Sequence, residues 1–193
     1  MMERRLFLTG PSGIGKSTLL SAALGKRLAL AGGFRTVRHR GEDGKPLYFS
    51  LETPEGGDLG IFLDLRGRAA NCTEVFRKAG ALQLKTAPEH PFSVLDEIGG
   101  TELLAPEFAE ALEAFLAGDA PCIGVLKGAG PAAMLASRME LGEAYTDAHR
   151  ALTAALQADP QTRILDCGAL PREEVQKLIS EWVEEYTHES KIL

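Results

Sequence analysis

Cysteine is scarce in this chain of 193 residues: only Cys72, Cys122 and Cys167, each far from the others. An odd, dispersed set argues against a disulfide framework and fits reduced thiols in a cytoplasmic compartment. There is no CxxC and no Cys/His ligand spacing, so nothing points to a structural zinc site. The four histidines, His39, His90, His149 and His188, are scattered too and read as mostly surface residues. No apolar run is long enough to span a bilayer. The N-terminus enters its first strand pattern without the apolar tract and cleavage site of a signal peptide. Positive charge is not in excess either. The formal net charge is −6, which removes the broad basic field expected of a nucleic-acid or anionic-membrane binder. Internal repeats, linkers and low-complexity tracts are also missing.

What remains is an ordinary globular balance, 45% hydrophobic and 25% charged, at a length suited to a single domain over residues 1–193. Short apolar runs at 4–9, 92–96, 122–126 and 162–166 read as buried strands. Between and after them lie helical patterns: residues 18–30, stopped by Gly32-Gly33; about 71–85, capped by Asn71 with Glu74; 106 to Gly118; 131–157, broken near Gly142; and a final helix opened by Pro171. Strands alternating with helices predict an α/β fold with a mostly parallel sheet flanked by helices. Residues 34–65 differ. Three extended runs, 34–40, 47–51 and 59–65, are separated by turn clusters. They predict a β-hairpin or meander inserted after the first helix.

The chemistry concentrates in residues 10–18, Gly10-Pro11-Ser12-Gly13-Ile14-Gly15-Lys16-Ser17-Thr18. They match GxxxxGK[ST], a strand-to-helix loop whose backbone N–H groups cradle phosphates. Lys16 is a point charge for the β- and γ-phosphate oxygens. Ser17 offers its hydroxyl to Mg²⁺. The helix that starts here adds the positive end of its dipole.

A phosphate loop of this kind needs a carboxylate on a neighbouring strand. Ser93-Val94-Leu95-Asp96-Glu97 supplies two acids at the carboxyl edge, where open α/β sheets bind ligands. Asp96 is the expected Mg²⁺ carboxylate, directly or through water. Glu97 is the expected general base for the attacking water. Arg66, Arg68 and Lys127 are candidate charge stabilisers near the γ-phosphate. Arg35, Arg38 and Arg40 alternate along one run and are expected to share one face, toward phosphates, a partner or solvent. Phe34, Tyr48 and Phe49 either stack on a base or pack against the sheet.

TGPSGIGKST, followed by GFRTVR and LDEIGGTELLAPEF, resembles the small nucleoside-triphosphatase family that includes a thermostable microbial enzyme and the human cancer-related one. Gly33-Phe34-Arg35-Thr36 matches that family's Gly-Phe-x-Thr segment, and Asp96-Glu97-Ile98-Gly99 its second motif. Glu102-Leu103 matches the tail of that motif, with Thr101 where the family favours Met. Val37 stands where an acid usually precedes the arginine, and the following Gly- and Arg-rich strand is less clear in 44–49. The resemblance covers about residues 4–128. It implies a RecA-like P-loop fold with an added strand between the P-loop strand and the Asp-Glu strand. It also implies Mg²⁺-dependent hydrolysis of several NTPs to NDP and phosphate, with little base selectivity.

Two other functions use the same loop. One is a nucleotide or small-molecule kinase, for which no Arg-rich lid is evident. The other is a triphosphate-dependent switch or assembly module, with the Arg-bearing hairpin facing a protein partner. The lack of an LSGGQ-like segment argues against an ABC-type ATPase.

Overall fold

Leu6, Phe7 and Leu8 are apolar on both faces, which suits a strand covered on both sides. They form β1 (Arg5–Thr9), in the middle of a sheet rather than at its edge. The computed structural model describes residues 3–66 and 73–188. The other strands are β2 (Ala31–Arg40), β3 (Pro46–Glu52), β4 (Asp58–Asp64), β5 (Phe92–Ile98), β6 (Cys122–Leu126) and β7 (Thr162–Asp166). One sheet holds all seven, in the order β4-β3-β2-β5-β6-β1-β7. β2, β5, β6, β1 and β7 run parallel, and β3 pairs antiparallel with both β2 and β4. The strand expected between the P-loop strand and the Asp-Glu strand is β6.

Helices cover both faces. On one lie α1 (Lys16–Leu24) and α6 (Arg172–His188); Leu19, Leu20, Leu24, Val175, Ile179 and Trp182 pack there against alternate residues of the central strands. On the other lie α2 (Ala81–Thr86), α3 (Pro106–Ala117) and α5 (Glu143–Ala158), closing on Phe7, Phe34, Leu95 and Ile98. α4 (Ala129–Arg138) follows β6. Phe34, Phe76 and Phe108 meet edge to face or tilted within this second core. Phe49 packs on Phe62 and Tyr48 on His39, so the hairpin aromatics serve packing. Among the described residues no helix is long and apolar enough to cross a membrane.

The two ends of the parallel strands differ in character. At the amino edge Arg5 is buried, donating to Asp159 Oδ2 at 2.5 Å and to the carbonyls of Leu116 and Gly118. That guanidinium ties β1 to the end of α3 and to the α5–β7 connection. The carboxyl edge carries the phosphate loop.

Three sequence expectations shift. The first helix ends at Leu24 with Gly25 and a 3₁₀ turn, Gly25–Leu30, so Gly32-Gly33 does not stop it. Those glycines lie inside β2. There Gly33 has φ 87°, and a Cβ on it would sit 2.2 Å from the Val94 carbonyl oxygen of β5. Second, Arg35, Arg38 and Arg40 do not share a face, because 35 and 38 differ by an odd number on a period-2 strand. Third, the helix expected over 71–85 is a π-helical turn, Phe76–Gly80, leading into α2, and Asn71 lies outside the described residues. The meander itself matches: β2, β3 and β4 form consecutive antiparallel pairs.

Gly33→Ala would force both a left-handed backbone and a clash with β5. It is expected to lose at least about 2 kcal/mol of stability, measured by chemical denaturation.

Candidate phosphate-binding site

β1 ends at Thr9, and the chain turns through residues 10–15 before α1 begins at Lys16. Gly13 (φ 81°) and Gly15 (φ 93°) adopt dihedrals that favour glycine, and Gly15 is the N-cap of α1. Pro11, Ser12, Gly13 and Ile14 are exposed, as a loop that receives a ligand requires. Thr18 is exposed one residue into the helix beyond Ser17. Lys16 is folded back into its own loop, donating to the carbonyls of Gly10 at 2.9 Å and Pro11 at 2.8 Å.

β5 brings up the acids. The strand runs on to Ile98, so Asp96 and Glu97 lie within its carboxyl end rather than after it. Ser17 Oγ donates to Asp96 Oδ1 at 2.7 Å. Asp96 is 2% exposed. Burial pushes its carboxyl up to about 7, with nearby Glu97 pushing the same way, while the Ser17 hydroxyl and the charges of Arg35 and Lys16 oppose the rise. Glu97, at an irregularity in the β5–β6 register, accepts a 2.9 Å ion pair from Lys127 Nζ, just past β6. The structure therefore brings Lys16, Ser17, Asp96, Glu97 and Lys127 to one edge.

It does not bring Arg66 there. Arg66 follows β4, pairs with both oxygens of Asp64 and stacks over Tyr48. β4 lies three strands from β5, about 14 Å at ordinary strand spacing. Arg68 lies outside the described residues.

Several residues at this edge were given no role in the site from the sequence. Glu102, 3% exposed, accepts hydrogen bonds from the backbone N–H of Gly99 (2.6 Å) and Gly100 (2.7 Å), both on Oε1. Tyr145 donates its hydroxyl to the Gly99 carbonyl, and His149 Nε2 lies 2.8 Å from the Lys127 carbonyl. His149 is buried, an exception to the mostly surface placement expected of the histidines. Tyr145 and His149, four apart on α5, share the helix face that meets the turn after β5; that spacing was the available signal. Beside the loop, Ile14, Gly15, Lys16, Leu19, Cys167, Leu170, Arg172 and Val175 line a cavity of about 230 Å³.

The donor set suits Mg²⁺ better than a transition metal. A buried carboxylate and a hydroxyl are hard oxygen ligands, and Mg²⁺ takes its remaining positions from water and phosphate. Among the described residues there is no group of three or more His, Cys, Asp or Glu that could form an all-protein metal cage.

Known proteins share this architecture. A family model described as NTPase matches residues 5–146. A nucleoside-triphosphatase THEP1 from Methanosarcina acetivorans is 32% identical over 133 residues, 63% of this chain and 75% of that protein. A cancer-related nucleoside-triphosphatase homolog from Mus musculus is 31% identical over 140 residues, 60% of this chain and 70% of that one. The crystal structure of THEP1 from Aquifex aeolicus superposes with a TM-score of 0.59 at 17% identity, covering 91% of this chain and 98% of the other. At that identity the superposition bears on fold alone.

Glu102 yields a pH prediction. Burial raises its carboxyl from 4.5 to about 7, with the backbone donors and Lys127 opposing the rise. The folded state holds the proton more tightly than the unfolded chain, so stability from this group is full below about pH 4.5 and is lost as pH rises through about 7. Glu102→Gln keeps an Oε1 able to accept both bonds but cannot ionise. It is expected to exceed the parent at pH 8 by on the order of 1–3 kcal/mol. That difference should vanish below pH 5 in paired denaturation curves.

Proposed function

Since the chain belongs to this NTPase family and is a nucleoside-triphosphatase, we propose that it hydrolyses ATP, GTP and other nucleoside triphosphates to the diphosphate and phosphate, with Mg²⁺. The observation that carries this is the 2.7 Å bond between Ser17 and Asp96, which joins the phosphate loop to a buried carboxylate on the strand that also bears Glu97. Phosphoryl transfer requires little covalent work from a protein; it requires positioning and charge.

In this reading the phosphates lie across residues 10–15, where backbone N–H groups and the start of α1 receive them. Lys16 exchanges its two carbonyl partners for β- and γ-phosphate oxygens. Ser17 and Asp96 would hold Mg²⁺, whose charge, when bound, offsets that of the triphosphate and favours ionised Asp96. The cavity between Ile14, Leu170 and Arg172 takes the nucleoside end. Its lining is largely apolar apart from Lys16, Cys167 and Arg172, which suits low base selectivity.

Lys127 orients Glu97. Glu97 accepts a proton from a water as that water's oxygen bonds to the γ-phosphorus. The bond from the γ-phosphorus to the β–γ bridging oxygen breaks at the same centre, leaving diphosphate and inorganic phosphate. A cytoplasmic setting accords with Cys122 and Cys167, both free.

The experiment is steady-state phosphate release by purified protein over a panel of NTPs, with and without candidate acceptors, products being resolved by chromatography. Release without any acceptor is expected, and an acceptor requirement would favour a kinase instead. Glu97→Gln is expected to lower kcat by about 10²-fold or more while leaving nucleotide affinity near the parent value. Lys16→Ala is expected to weaken triphosphate binding itself, read by titration calorimetry.

A further inference from the structure

Besides Lys16 and the proposed Mg²⁺, a further side-chain cation beside the γ-phosphate would offset the charge that develops on the transferred phosphoryl group. Lys127 is engaged with Glu97, and Arg66 with Asp64. β2 carries another candidate. Arg35 stands directly opposite Asp96 in the parallel β2–β5 register, and residues so paired present their side chains to the same face. That is the face of Ser17 and the phosphate loop. Arg35 is only partly exposed. Its one hydrogen bond among the described residues is long, from Nη1 to the Pro54 carbonyl at 3.3 Å. It makes no ion pair with a described residue, and its Nε is buried without a partner.

Such under-use is costly for a guanidinium. The other buried unpartnered Nε belongs to Arg5, whose remaining nitrogens make three short hydrogen bonds. Arg35 has no such compensation, yet its charge acts on Asp96 and opposes the effect of burial there. Beyond Arg35, β2 continues five residues past its last pairing with β5, about 17 Å, as the start of the meander wall. The guanidinium therefore sits where that wall meets the phosphate edge.

We propose that Arg35 is the phosphoryl-binding arginine of this enzyme, acting within its own chain: its unpartnered donors bind the γ-phosphate oxygens, and bind them most tightly as negative charge builds during transfer to water. This rests on the phosphohydrolase reading and adds a catalytic residue to it. Arg35 forms and breaks no covalent bond; water still attacks the γ-phosphorus and Glu97 still takes the proton. A fork of N–H donors suits phosphate better than an ammonium does.

The test uses the full chain with Arg35→Ala, Arg35→Lys and the parent. Phosphate release is measured beside calorimetric binding of ADP and of ADP with aluminium fluoride, in Mg²⁺. Arg35→Ala is expected to lower kcat by about 10²- to 10³-fold, with ADP affinity within about threefold of the parent and trapping of the aluminium fluoride complex lost. Millimolar guanidinium should restore part of that turnover. Arg35→Lys should fold and fall between the two. Turnover of Arg35→Ala within about threefold of the parent overturns the proposal. So does a parallel loss of ADP affinity and turnover, or unfolding of Arg35→Ala while Arg35→Lys keeps parental turnover and trapping. A parent that releases no phosphate from any NTP would instead sink the hydrolase reading, a distinct result.

Discussion

A hydroxyl and a carboxylate 79 positions apart in the chain meet at 2.7 Å, and the chemistry of this protein depends on that meeting. Ser17 is the second residue of α1, and Asp96 lies near the end of β5. Neither strand touches the other; β6 lies between them. What aligns the two groups is register. Leu8 of β1 pairs with Val125 of β6, Val125 with Asp96, and Asp96 with Arg35 of β2. One transverse row thus runs from the strand that feeds the phosphate loop to the strand that starts the meander. Glycine makes this row compact on both sides of β5. A Cβ at Gly33 would lie 2.2 Å from the Val94 carbonyl, and one at Gly124 would lie 2.2 Å from the Leu95 carbonyl. A slip of one residue would turn Asp96 away from Ser17 and bury it in the opposite core.

Charge at that edge is arranged in two layers. One layer, beside Ser17, holds Lys16, Asp96 and Arg35; the other, beside the turn that follows β5, holds Glu97, Lys127 and Glu102. Each layer mixes signs. Burial makes an unpaired charge expensive, so acids and bases gather where either alone would be costly. In the second layer Lys127 holds one oxygen of Glu97 and the Gly99–Gly100 backbone holds one oxygen of Glu102. In the first, among the described residues, Lys16 rests on its own loop carbonyls, Asp96 has one hydroxyl, and Arg35 has one long bond. Groups so partly satisfied suit a site whose partner is a polyanion and its cation.

Much of this was legible from the chain itself. The phosphate loop needs specific residue types at fixed spacing, and Gly10 through Thr18 supply them within nine positions. The acids of β5 follow three sheet-forming residues, so their place at the carboxyl edge could be read from local pattern. The meander showed itself through turn clusters at 41–44 and 53–58. Elsewhere local pattern misled. Gly32-Gly33 looked like a helix stop because glycine ends helices, yet here it lets two strands approach. Arg35, Arg38 and Arg40 looked like one set because they are close in sequence, yet the pleat sends Arg35 toward Asp96 and Arg38 over Phe49. Glu102 looked like the tail of a motif until its carboxylate was seen to hold the turn that follows β5.

By itself the sequence determined the loop, its lysine and hydroxyl, the two neighbouring acids and the alternation of strand and helix, because each depends on residue type and short-range spacing. Only the tertiary structure decided which distant groups face one another: Asp96 with Ser17, Lys127 with Glu97, Arg35 beside the phosphate edge, and Arg66 away from it. The reason is physical. Sheet order and register are set by how apolar faces close into two cores, a property of the whole chain that no stretch of it carries alone.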